Sequence, residues 1–246
     1  MFKVLKNEFI KMVNSRKFYV LSAILIGSII LMALIKDNNI NAQNFVFETF
    51  AGTIMKPILP SFMIIIIAEV ITEDYIHGTL KFSLMTPVKR SEFIIGKLLF
   101  IYLYSLILLA LSFLTSYIVC AVGFGPAIKA DFIKYFIFNI KCYVSIILPL
   151  FSFCTLISFI AMFVSSSGET IGLGLGIQFM TIIIEHSIKN AVYFLPGAGM
   201  YMYDFVRSSG ELNNISIPSI SICACIYTAV LMCLSIVDFK KKDLVL

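Results

Sequence analysis

The chain has 246 residues, is 60% hydrophobic and only 13% charged, and carries a formal net charge of +5. A soluble domain carries about 25% charged residues, so this composition excludes a soluble globular fold and leaves no room for a separate soluble domain. The positive balance fits a membrane surface, and without a basic patch interleaved with aromatics it gives no footing for nucleic acid.

Residues 1–17 open the chain with an amphipathic stretch. Phe2, Leu5, Phe9, Met12 and Val13 recur at helical spacing, while Lys3, Lys6, Asn7 and Lys11 fall largely elsewhere on the wheel. A short basic helix of this kind is expected to lie in the interface plane without crossing. It serves there as an anchor, and a lever that feels a cytoplasmic partner is a compatible role. The apolar run 18–35 follows. It is long for the h-region of a signal peptide, and Lys36-Asp37-Asn38 offers no small-x-small cleavage site. It reads as a retained first span.

Five further apolar runs occupy 54–71, 98–122, 135–164, 170–184 and 219–237. A bilayer core of about 30 Å needs about 20 apolar residues in a helix; several runs meet that length outright and the shorter ones with their flanks. The expectation is an all-α membrane protein of six transmembrane helices, one transmembrane domain over 1–246. With the N-terminus inside, cytoplasmic segments hold twelve Lys and Arg and outer segments seven. The positive-inside rule therefore puts both termini in the cytoplasm.

The segment between the second and third spans is the most informative. Asp74, His77 and Lys81 share one helical face, and Ile76, Leu80 and Leu84 line another. The helix should stop at Thr86-Pro87, because proline disfavours helical geometry in the residue before it. Ser91 then caps the third span, with Glu92 in its first turn. A short amphipathic helix over 73–86 is thus expected to lie across the inner membrane surface.

The fourth run, extended back to Asp131, would reach about 50 Å as a helix. Its start is expected to project or lie along the surface, with a kink at Pro149. A tiny loop, residues 165–169, leads into the fifth span. There Gly168, Gly172 and Gly176 form a small-xxx-small ridge with Gly174 beside it. Such a ridge lets two helix backbones approach closely in lipid, inside one subunit or against a second copy. Residues 186–217 contain the turn signal Pro196-Gly197-Ala198-Gly199 among aromatics. Short helices dipping into the outer leaflet and turning back would suit this segment, and an ordinary loop is the alternative.

The six cysteines form no C-x-x-C pair, and neither a disulfide framework nor a metal site is expected. Ionisable residues deep in a span are costly and usually functional, yet the middle of every predicted span lacks them. Glu69 lies about one turn from the inner surface, and Lys141 and Glu185 near outer ends. No phosphate-cradling glycine loop is present. No catalytic residues are expected, and energy for uphill transport must enter through a partner.

The run DYIHGTLKFSLMTPVKRSEFIIGK, residues 74–97, resembles the signature of ABC type-2 exporter permeases. Asp74, Gly78-Thr79, Pro87, Arg90 and Gly96-Lys97 match it in order, and the layout of helices is similar over the full length. The resemblance implies a bacterial cytoplasmic-membrane permease paired with a second copy or a related permease. Two cytoplasmic ATPase subunits would bind ATP and magnesium, so this chain needs no cofactor of its own. The helix at 73–86 would be the coupling helix, with Asp74, Tyr75, His77, Gly78, Thr79 and Lys81 on the ATPase. Glu169 in the 165–169 loop would be a second contact. Amphipathic or antimicrobial peptides, or hydrophobic drugs, would be the cargo. The competing readings are an ion-coupled carrier or membrane-embedded enzyme, and an immunity protein that binds a peptide without moving it.

Overall fold

The computed structural model describes residues 2–35, 42–73, 90–124, 132–187, 195, 200 and 217–241. Among them there is no strand, and the chain is a bundle of helices. The first helix, α1, is Phe2–Asn14. It stops where the Ser15 N–H turns back to the Met12 carbonyl at 3.0 Å. The Ser15 hydroxyl then accepts the Lys17 N–H at 3.2 Å, which caps the next helix. That helix, α2, is Arg16–Ile35.

The second apolar run is built from four pieces: α3 (Ala42–Glu48), a π-helical segment Thr49–Ile58, α4 (Leu59–Ile67) and a second π-helical segment Ala68–Glu73. The backbone stays right-handed helical at Glu48 (φ −65°, ψ −38°) and at Leu59 (φ −65°, ψ −46°), so the pieces join without a break. Pro57 sits in the first π segment and Pro60 in the first turn of α4. Each lacks a backbone N–H, and in lipid a widened turn is one way to re-satisfy the freed carbonyls.

The remaining helices are α5 (Arg90–Phe124), α6 (Phe132–Ala161), α7 (Ser167–Ser187) and α8 (Ile217–Lys241). They run alternately up and down. Phe47 and Phe138 meet at one end with ring centroids 5.7 Å apart. Phe93 and Phe239 stack at the other, which is the end carrying α1. Among the described residues, five helices are long and apolar enough to cross a membrane: Arg16–Ile35, Ser91–Gly123, Ile133–Ala161, Ser167–Ile184 and Pro218–Phe239. Leu59–Thr72 is a shorter apolar helix within the run that ends at Glu73.

The core sits around α4. Seven of its nine residues are buried, Leu59, Pro60, Phe62, Met63, Ile64, Ile66 and Ile67, and it packs on α5, α6 and α7. The most extensive helix pair is α6 with α8. Outward faces are apolar as well: Ile222, Ile226, Val230 and Leu234 form an exposed stripe on α8. In water such a stripe would be a liability; in lipid it is the ordinary exterior of a helix.

Several boundaries differ from the sequence reading. The helix that carries the third run begins at Arg90, so Ser91, expected as its cap, lies inside its first turn. The fourth ends at Ala161, three residues early, and runs as one helix through Pro149. On the first helix Glu8 and Met12 are buried, while Phe2, Phe9 and Val13 are exposed. Lys11 offsets the Glu8 charge at 3.3 Å. The outer segment 186–217 lies almost wholly outside the described residues; Met200 within it is buried against the core.

Candidate functional site at the base of the bundle

Asp74, Tyr75, His77, Gly78, Thr79, Lys81 and Pro87 lie outside the described residues, as does the expected helix that carries them. What the structure describes is the mounting on either side. The chain enters segment 74–89 from the π-helical turn Ala68–Glu73 and leaves it into α5.

Lys97 joins these two roots. It lies two turns into α5, only 2% exposed, and its ammonium group donates to the Val70 carbonyl. The Phe93 ring centroid is 4.9 Å from the same nitrogen. A charge taken out of water needs such partners. The last carbonyls of a helix carry partial negative charge, and an aromatic face adds attraction for a cation. Beside it, Lys17 of α2 reaches Glu69 at 3.4 Å, with the two side chains 51% and 28% exposed. This second pair sits at the rim, where exposed ion pairs contribute about 0–1 kcal/mol.

Thr72 makes the third connection. Its hydroxyl lies 2.9 Å from that of Thr170 in the first turn of α7 and 3.5 Å from the carbonyl of Ala161, the last residue of α6. Both threonines are completely buried. The root of segment 74–89 therefore abuts the short turn between α6 and α7.

That turn covers residues 162–166, not 165–169, so Gly168, Glu169 and Thr170 belong to α7. Ser166 is the helix cap: its hydroxyl accepts the Glu169 N–H at 3.2 Å. Ser165 donates its hydroxyl proton to the Glu169 carboxylate at 3.2 Å. The spacing Ser-x-x-Glu is a capping-box signal, legible in the sequence and missed there. Glu169 is exposed at the positive end of the helix. It is the one predicted ATPase-contact residue that the described structure brings to this base.

Along the membrane axis, α7 faces the bundle with Thr170, Gly174, Gln178 and Thr181, all buried. These sit at i, i+4, i+8 and i+11, a mostly polar stripe on an apolar helix. It meets the second apolar run at three levels in antiparallel register: Thr170 with Thr72, Gly174 with Ile64, and Gln178 with Ser61. At the last level the Ser61 hydroxyl lies 3.1 Å from Gln178 Oε1, and Gln178 Nε2 donates to the Pro57 carbonyl at 3.3 Å. Interhelical hydrogen bonds of this type hold membrane helices together at about 0.6 kcal/mol each, up to about 1.7.

The ridge of Gly168, Gly172 and Gly176 looks the other way. A methyl group added at any of the three meets no atom of another described element within 4 Å. The exposed Leu173, Phe179, Met180 and Ile183 flank it. The glycine that packs within the subunit is Gly174.

Residues 9–245 match a family described as a protein of unknown function, DUF2705. The match takes in nearly all of the chain, and the chain belongs to that family. No curated protein matches it.

Proposed function

We propose that this member of the DUF2705 family is the membrane-spanning permease subunit of an ATP-driven exporter. In this reading Thr49–Glu73 completes a set of six crossings, and α1 lies in the headgroup region with Phe2, Phe9 and Val13 toward lipid. Both termini and the end of the bundle that carries α1 face the cytoplasm of a bacterial cell. The helix expected over 73–86 is the coupling helix for a cytoplasmic ATPase, and Glu169 is a second contact.

The observation that carries the reading is the mounting of segment 74–89. Lys97 ties its exit helix to its entry turn, and Thr72 ties that turn to α7. A segment that transmits force needs fastened ends, since a loop on slack ends would move without moving the helices. The likeness of residues 74–97 to the exporter signature supports the same assignment. The outward glycine ridge of α7 supports a dimer, because close backbone approach in lipid is what such ridges provide and no described residue fills it. Amphipathic peptides or hydrophobic drugs are the proposed cargo, moved outward.

The test is reconstitution. The chain in liposomes with its ATPase partner should clear a fluorescent amphipathic peptide only when ATP is supplied. Accumulation of the peptide by the purified chain alone, driven by an ion gradient, overturns the proposal and favours a secondary carrier.

A further inference from the structure

We infer that Thr72 and Thr170 are positioning residues that lock the turn Ala68–Glu73 to the α6–α7 turn, so that these two turns move as one lever. The role of that lever in transport rests on the exporter reading; the lock itself does not.

The argument is one of hydrogen-bond accounting. Each hydroxyl has a single proton and two lone pairs. If Thr170 donates to the Ser166 carbonyl at 3.2 Å, then Thr72 is the donor across the 2.9 Å gap between them. If Thr72 instead donates to the Ala161 carbonyl at 3.5 Å, then Thr170 donates to Thr72. In either order the second apolar run is joined by an unbroken hydroxyl chain to the turn, at Ser166 on one side or Ala161 on the other. Only five residues separate α6 from α7, and the turn is already tight: Met162 and Phe163 donate back to Phe159 and Ile160 at 3.2 and 2.9 Å. It has little freedom to absorb a displacement arriving through Thr72. Bulk water does not reach either partner, because both side chains are fully buried.

The seam above explains where the motion would go. Gly174 against Ile64 and Gln178 against Ser61 and Pro57 continue the contact away from this end. Displacement at Thr72 therefore moves α7 along its length, together with the glycine ridge on its outer face.

Hydrogen exchange on the full-length protein in lipid nanodiscs tests this without any ATPase or substrate. Thr72→Val keeps the side-chain shape and removes the hydroxyl. It should speed exchange of the backbone amides of residues 162–170 about threefold, the factor that one interhelical bond of average strength represents. Thr170→Val should do the same to residues 69–73, because coupling between two elements is reciprocal. Thr72→Ser should restore the slow rate, and residues 142–150 in mid-α6 should not change. Unaltered exchange at 162–170 in Thr72→Val overturns the lock, as does acceleration that Thr72→Ser fails to reverse. The two assays fail separately: a failed lock removes the Thr72 fastening from the support for the exporter reading and leaves the Lys97 tie, whereas a failed pump leaves the lock standing.

Discussion

Ile64 rests directly on the backbone of Gly174. A methyl group at that glycine would lie 2.6 Å from Ile64 Cγ2 and 3.1 Å from Cγ1, closer than carbon atoms tolerate. Isoleucine is stiff at χ1 in a helix, so it cannot swing aside. Gly174→Ala should therefore destabilise the folded protein by about 1–3 kcal/mol, the usual cost of overpacking. Adding Ile64→Ala should recover part of the loss. Gly172→Ala, on the open face, should leave stability unchanged or slightly raised, alanine being the better helix former. Thermal unfolding of the monomer in detergent separates these outcomes; equal effects at both glycines would contradict the packing.

The open ridge makes a different prediction. Gly172→Leu places a large side chain on the face where a second copy is proposed to approach. It should abolish self-association in bilayers while the helical circular-dichroism signal stays intact. Single-molecule photobleaching counts the copies, and a persistent two-step distribution would remove the ridge from the interface.

Lys97 and Lys17 are both basic residues near the same end of the bundle, and their burial separates them. Lys97→Met leaves the Val70 carbonyl without its ammonium donor, at a cost of about 1–3 kcal/mol. Lys97→Arg should not rescue it, since the planar guanidinium does not fit a site built for a compact ammonium. Glu69→Gln breaks the half-exposed pair with Lys17 and should cost about 1 kcal/mol or less. Melting temperatures of the three variants, ranked, check the assignment.

Deletion of residues 74–81 should abolish ATP-driven clearance of peptide in reconstituted liposomes while leaving the protein inserted, as judged by protease protection. The roots of the segment lie outside the deletion, so Lys97 and Thr72 keep their partners. Transport that survives the deletion would remove the coupling role.

Much of the architecture was legible because lipid leaves the backbone few choices. Without water to bond its N–H and C=O groups, a spanning segment must be helical, so apolar run length alone located the helices. The boundaries were less legible. The start of α7 at Ser167 follows from the Ser166 and Glu169 cap, a local signal that apolar run length does not register. The base of the bundle was half legible: Lys97 was visible as part of a motif, but its contact with Val70 joins residues 27 positions apart. Thr72 and Thr170 are 98 apart and carry no pattern that would pair them.

What the amino-acid sequence determined by itself is that this chain dissolves in a bilayer as helices, because composition and run length decide that before any helix meets another. It could not decide which side of each helix turns inward. A helix that is apolar all round has no polar face to orient it; α7 does carry Thr170, Gln178 and Thr181 on one side, yet its four glycines look alike in sequence. Only the tertiary structure selects among them, and it does so by shape: the Ile64 side chain needs a place without a Cβ, finds it at Gly174, and so turns Gly168, Gly172 and Gly176 to the outside.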